Sequence, residues 1–188
     1  MKTLAFQSQP KYDGWILESG ESTNQGGELN NDARSIFAGD DSTNKQYKGI
    51  LSFDTTPLPN NAVILSVQLK VRQREIVGSN PFDTFGVLQS EIRKGTFSDN
   101  ANLQIDDFSA PASPGSVLDT FAQLTPNWYA TEVHDANFAL VNKSGITQFR
   151  LSFSKDDNNN LQADTFSFYS GNYLSSYMPQ LVVTYYIP

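Results

Sequence analysis

The sequence predicts an all-β domain, an antiparallel β-sandwich of jelly-roll type with one or two short helices. Three observations carry that prediction. Apolar residues recur with a period of two in one segment after another, the period at which side chains alternate across a strand. Those segments are short and are separated by turn-forming clusters, TPLPNN, VGSNP, SAPASPG, TPNW and DDNNN. Helix signatures are confined to two stretches, and many short strands at such spacing indicate two packed antiparallel sheets.

In chain order, TLAFQSQP before Pro10 is an extended segment. Residues 1–10 are therefore read either as a first strand of the domain or as an arm that pairs with the sheet edge of a neighbouring copy. GWILES, ARSIFAG and YKGILSF follow as strand candidates. In AVILSVQLKVRQREI, Val67, Leu69 and Val71 share one face while Gln68, Lys70, Arg72 and Arg74 share the other, a half-buried strand with a long polar side. FGVLQSEIRK is the next strand, and ANLQIDDFSA can form a turn or two of helix. DANFALVNKSG has a helix start at Asp135, apolar Phe138 and Val141, and a glycine stop at Gly145. ITQFRLSFS points Phe149, Leu151 and Phe153 inward and Gln148, Arg150 and Ser152 outward. DTFSFYSG buries Phe166 and Phe168, and LVVTYYIP sets Leu181, Val183 and Tyr185 against Val182, Thr184 and Tyr186. No linker or internal repeat interrupts the 188 residues, so one domain over 1–188 is expected.

Charge and composition narrow the function. With 13 basic and 20 acidic residues the net charge is -7, which argues against a dedicated nucleic-acid binder, because phosphates are gathered by basic surfaces. The absence of cysteine excludes disulfides, thiolate catalysis and cysteine-based zinc sites. No run approaches the roughly 18 apolar residues of a membrane helix, so membrane insertion is not expected. The N-terminus MKTLAFQSQPKYDG lacks an apolar core and a small-residue cleavage site, and is expected not to be a signal peptide.

Catalytic constellations are weak. The single histidine, His134, sits in TEVHDAN without a nucleophile elbow such as Gly-x-Ser-x-Gly anywhere in the chain. A carboxylate pair about 5 to 10 Å apart, as glycoside hydrolysis requires, is unavoidable among 20 acidic residues and discriminates nothing. The chain reads as a non-enzyme.

Three sets of residues have the chemistry of binding. The first is SKDDNNNLQADTFSF, where Asp156, Asp157, Asn158, Asn160 and Asp164 offer the oxygen ligands that calcium prefers. An EF-hand reading fails, since Leu161 stands where glycine is required and Ser167 where a bidentate glutamate is required. What survives is a strand-connecting loop, either a structural calcium site supplemented by Asp40 and Asp41 of GDDSTN or a solvated turn. A second set comprises Trp15, Trp128, Tyr129, Tyr173 and Tyr177, aromatics near turns that could stack on sugar rings or pack at the rim of the core. The third is a basic row, Lys70, Arg72 and Arg74 with Arg150 and with Arg93 and Lys94 on further strands, whose guanidinium forks suit the carboxylates of a uronate-rich polysaccharide. Glu75 and Glu91 are placed to neutralise the same row across strands.

Three blocks carry a resemblance. Asp13, Trp15 and Ile16, then Asn24, Gly26, Gly27 and Leu29, form an aspartate-led strand followed by a polar loop. Ile50 to Val71 is a strand ending in Phe-Asp, a Leu-Pro turn and a second strand. Pro179, Gln180, Leu181, Val182, Val183 and Tyr185 form a closing strand. Together they resemble the DNRLRE, or disaggregatase-related, domain family, part of which is classed among carbohydrate-binding modules. The DDNNN loop and Trp128-Tyr129 are similar to a longer subgroup found as terminal domains of large secreted or cell-surface bacterial proteins. The resemblance implies an extracellular or cell-surface β domain that binds polysaccharide or cell-envelope glycan. The competing expectation is a structural or adhesive fibre subunit whose partners are copies of itself.

Overall fold

The alternation read in the sequence becomes thirteen strands, described by a computed structural model covering residues 1–188. They are β1 (Lys2–Gln7), β2 (Gly14–Glu18), β3 (Gly26–Asn30), β4 (Ser35–Asp40), β5 (Gln46–Asp54), β6 (Val63–Val77), β7 (Leu88–Lys94), β8 (Asp119–Thr120), β9 (Ala122–Thr125), β10 (Trp128–Glu132), β11 (Ile146–Phe153), β12 (Asp164–Tyr169) and β13 (Gln180–Tyr186). All pair antiparallel. One sheet runs β1-β13-β6-β10-β9, and the other β12-β4-β5-β11-β7-β8 with β2 and β3 on the far side of β5. The two are continuous through β6. Its first part pairs with β13 and β10, and its last residues, Gln73 to Val77, pair with β12.

That dual membership depends on a bulge. Phe168 pairs with Gln73 and Ser167 with Glu75, so Arg74 is an extra residue without a partner. An inserted residue reverses which face the following side chains take. Val67, Leu69 and Val71 point into the core before the bulge, and Ile76 packs against the same core after it. Arg74 is thereby displaced from the row of Lys70 and Arg72, and its guanidinium instead donates to Ser35 Oγ. The core filled from both sheets contains Leu51, Phe53, Phe149, Leu151, Phe166, Phe168, Leu181 and Val183, each fully buried. Removing one such ring to alanine costs about 3–5 kcal/mol.

Short helical pieces sit at corners. Pro81–Thr84 is a single α turn (α1), capped by Asn80, whose Oδ1 accepts the Phe82 N–H with Pro81 at the first helical position. The sequence VGSNP had read only as a turn. Ile105–Phe108 and Asp135–Leu140 are 3-10 turns rather than α-helices, and the second stops well short of Gly145. His134 is the cap of the latter, its Nδ1 accepting the Ala136 N–H.

Residues 2–7 are a strand of the chain's own sheet. They pair with β13 from Lys2↔Tyr185 to Gln7↔Gln180, with Phe6 in the core. The strands missed in the sequence, β3, β8, β9 and β10, are short or are interrupted by polar residues.

One face thought to be exposed is covered. Gln148 and Arg150 point away from the main core as the alternation of β11 requires, yet both are buried. Ile16 and Ile50 lie on that same outer face, where they gather Phe97, Leu103 and Phe108 from the connection at residues 95–118 into a second, smaller core. Arg93 and Arg150 hold this connection down by donating to backbone carbonyls of Thr96, Ala112, Asp107 and Ala110.

Asp13 links the first loop to the last. Its Oδ2 accepts the Gly171 N–H at 2.7 Å, and Gly171 is packed so closely that a side chain there would meet Asp13 and the Ser8 carbonyl. Burial pushes the Asp13 carboxyl up from 3.8 to about 6, against hydrogen bonds from Ser8 and Gly171 that favour the charged form. Below the unfolded value both states hold the proton; between that value and about 6 only the unfolded chain releases it, so stability falls as pH rises through the window. The stability of the native chain relative to Asp13→Asn should therefore fall by on the order of 2–3 kcal/mol between pH 4 and pH 7. Urea unfolding of both proteins across that range measures it, and a pH-independent difference contradicts it.

Candidate functional site

β6 projects its polar face outward in the middle of the first sheet, and β10 lies beside it with Trp128 directly opposite Arg72. Cross-strand neighbours on one face are close enough to touch. Lys70 Nζ lies 5.1 Å from the Trp128 ring centre, and the Arg72 guanidinium carbon 6.0 Å. On its other side Arg72 sits 3.8 Å from the centre of the Tyr177 ring. Tyr177 meets Tyr169 and Tyr173 edge-on at 4.8 and 5.4 Å, and those two rings stack at 4.4 Å. Beyond Tyr173, a depression of about 310 Å³ is lined by Arg34, Asn172, Tyr173 and Leu174. The result is a strip running Lys70, Trp128, Arg72, Tyr177, Tyr173, Arg34.

The strip is held from below. The tyrosine-bearing turn is anchored by Ser170 Oγ on the Ala33 carbonyl, by the Asn172 amide on the carbonyls of Pro10 and Asn31, and by the Gly171–Asp13 bond. Gln7 of β1 donates to the Ser175 carbonyl. The three cations Lys70, Arg72 and Arg34 have no acidic partner, since the ion pairs of the molecule are Lys45–Asp41 and Arg150–Glu91. A guanidinium stacked on a ring keeps its in-plane N–H donors free, so Arg72 can present its fork to a carboxylate while its face is covered.

Several expected ligand residues lie elsewhere. Tyr129 is a core residue, stacked on Phe82 at 4.8 Å and edge-on to Phe166. Trp15 packs between Phe37 and Tyr47, with its indole nitrogen buried. Arg150 does not extend the row: it is 6% exposed, and its Nε donates to Glu91 Oε2 at 2.8 Å across the β7–β11 pair. The pairing of Arg150 with Glu91 is the neutralisation weighed for this row, and it occurs on the sheet opposite to Lys70 and Arg72. A polar cleft of about 320 Å³ lies beside it, lined by Asn24, Lys48, Gln89, Glu91, Arg150 and Ser152. Burial, then the neighbouring Arg150 charge, pushes Lys48 down to about 8.

The acidic loop divides similarly. Asp40 and Asp164 face each other across β4 and β12, and both are fully buried. Asp157 and Asn158 lie beside them, with Asn158 and Asn160 donating side-chain N–H groups to Asp164 Oδ2 at 2.8 and 3.2 Å. Asp41 and Asp156 do not join the group. Asp41 closes its own turn: burial opposes its ionisation, but the Thr43 hydroxyl and the N–H groups of Lys45 and Thr43 outweigh it and hold the carboxyl below its usual range. Asp156 is exposed and accepts the Asp157 N–H. No three acidic or histidine side chains converge into a carboxylate cage.

Arg34 was missed in the sequence because it reaches the strip from a loop with no period, whereas Tyr173 and Tyr177 were among the aromatics the sequence singled out. The Tyr-rich YSGNYLSSYMP composition was the available signal. No family model matches the chain. A search of curated proteins likewise finds no match.

Breaking the buried pair tests the fold around the covered face. Arg150→Ala leaves two carbonyls and a half-buried Glu91 without partners and should destabilise by about 2–4 kcal/mol. Proteolysis should then cut within residues 95–118 before anywhere else; an unchanged cleavage pattern contradicts the stapling role.

Proposed function

We propose that the chain is a non-catalytic module that binds polysaccharide or cell-envelope glycan outside the cell, and that its ligand is rich in uronic acids. The observation that carries this reading is the strip on the first sheet, where Trp128, Tyr177 and Tyr173 lie among the unpaired cations Lys70, Arg72 and Arg34. Sugar rings stack their C–H faces on aromatic rings, and each acid group along a uronate chain needs a cationic donor nearby. A flat strand face supplies both along a line, which suits an extended polymer better than a small molecule. The DNRLRE-like blocks and their association with surface proteins support the same reading. The fibre alternative gains no support from residues 2–7, because they pair with β13 of the same chain.

Affinity electrophoresis and calorimetry with a polyuronate and with a neutral glucan test the proposal. Binding should favour the polyuronate and weaken as salt rises, since the attraction is screened at the surface. Trp128→Ala and Arg72→Ala should each lower affinity about tenfold, the equivalent of the ~1–2 kcal/mol carried by an aromatic or cation–π contact. Arg74→Ala should leave affinity unchanged because the bulge removes that side chain from the strip. Equal binding by the native and Trp128→Ala proteins overturns the reading.

A further inference from the structure

The connection at residues 95–118 leaves one part of the second sheet's outer face open. Polar side chains cross β7, β11 and β5 there in two adjacent rows. In the first row Glu91 faces Arg150, and Arg150 faces Ile50. Arg150 is fully committed: Nε and Nη2 donate to Glu91, and Nη1 donates to the carbonyls of Asp107 and Ala110. In the second row Gln89 faces Ser152, and Lys48 stands on β5 just past the last pair, Leu151↔Gly49. This second row lines the cleft of about 320 Å³ beside Arg150, together with Phe108 and Leu118 of the connection.

The second row keeps its hydrogen-bonding capacity. Gln89 and Ser152 are half-buried in the cleft, and their side chains bond to no other part of the chain. Glu91 uses only Oε2 on Arg150, so Oε1 remains an acceptor. Lys48 is held over the Phe108 ring at 4.0 Å, with Nζ donating to the Phe108 carbonyl at 3.2 Å and to Asn24 Oδ1 at 3.4 Å. An ammonium has three donors, and no carboxylate pairs with this one. The charges that act on Lys48 are those of Arg150, Glu91, Glu18 and Asp156, three of the four negative. A carboxylate entering the cleft gains Lys48 but meets these acids, and an amine gains Glu91 but meets Lys48. A hydroxyl both donates and accepts, so neighbouring hydroxyls can take the Lys48 N–H and give a hydrogen to Glu91 without carrying charge. Three strands at about 4.8 Å spacing spread these groups over ~10 Å, a width that one or two sugar rings cover.

We propose that this cleft binds a neutral sugar residue, its hydroxyls meeting Lys48, Gln89, Ser152 and the Oε1 of Glu91. The volume lies at the small end for ligand sites, which suits a single ring or a disaccharide rather than a long chain. Leu118, 51% exposed, offers an apolar surface to the sugar's C–H groups. The site shares no residue with the strip of Lys70, Trp128 and Arg72 and selects for the opposite property, absence of charge. It does not rest on the strip binding anything.

The test titrates the whole chain with glucose, galactose, mannose and N-acetylglucosamine, and with glucuronate and glucosamine as charged counterparts, following backbone amides by NMR. At least one neutral sugar should shift the amides of Lys48, Gln89 and Ser152 with a Kd on the order of 1–10 mM, the scale of a few hydrogen bonds in a wet cleft. That Kd should hold between about 50 and 500 mM sodium chloride, because no net charge is neutralised, and both charged counterparts should bind more weakly. Gln89→Ala and Ser152→Ala remove side chains that bond to nothing else in the fold, and each should weaken binding about threefold to tenfold. Lys48→Met should weaken it at least as much. Trp128→Ala should leave sugar binding at the cleft unchanged, and Gln89→Ala should leave polyuronate binding unchanged, so the two sites fail separately. No shift of the cleft amides by any of the four neutral sugars at about 100 mM overturns the proposal. So does tighter, salt-sensitive binding of glucuronate at the cleft, or an affinity that survives Gln89→Ala and Ser152→Ala combined.

Discussion

Strand β6 is the constraint on which the rest of the structure depends. Fifteen residues long, it belongs first to one sheet and then to the other. A strand that continued with unbroken alternation would turn its apolar side to solvent on crossing between sheets. The extra residue at Arg74 prevents this, so that Val71 and Ile76 face the same interior although an odd number of positions separates them. Its N-terminal part carries a second irregularity, at Leu65, which pairs with nothing on β13 and is left 46% exposed. The middle of β6 presents Lys70 and Arg72 to solvent, and the residue pair just past its end, Gly78 and Ser79, wraps Asp164. The strip and the buried Asp40–Asp164 pair therefore both hang on the register of one strand.

Charge is used in opposite ways on the two outer faces. On the second sheet, Arg93 and Arg150 are consumed in holding residues 95–118 over Ile16 and Ile50, and Glu91 compensates the buried guanidinium. Such a charge is a structural element: the donors of Arg150 go to Glu91 and to two backbone carbonyls. On the first sheet, Lys70 and Arg72 lie against aromatic rings without a carboxylate partner. A cation over a ring is only partly compensated, and its remaining donors point outward. The distinction between these two kinds of arginine is one of partners, and partners are set by which strands become neighbours.

The aromatic residues divide by the same logic. Tyr129 follows Trp128 in sequence and so takes the opposite face of β10, where it stacks on Phe82 inside the sandwich. Trp128 faces outward with the cations. The three tyrosines at the end of β12 and in the following turn are brought to the strip by Asp13, Asn172 and Ser170, polar anchors that fasten the turn to the β1–β2 loop and to the β3–β4 connection.

Much of this fold is legible in the sequence, because alternation at a period of two depends only on which face of a strand each residue takes. The eight strongest strands, the inward sets Val67, Leu69, Val71 and Phe149, Leu151, Phe153, and the buried Phe166 and Phe168 follow from that alone. So does the grouping of Lys70 with Arg72, since they share a strand and a parity. What pattern could not decide was anything set by contact between elements far apart in the chain. The bulge that removes Arg74, the loop that buries Arg150, the return of Lys2–Gln7 onto β13, and the register that sets Asp40 against Asp164 are long-range outcomes. The DDNNN loop shows the division most plainly: composition set five acidic and amide residues alike, but the tertiary structure buried Asp164 and left Asp156 exposed, because burial depends on neighbours far apart in sequence, as with the Asp164–Asp40 bond at a separation of 124.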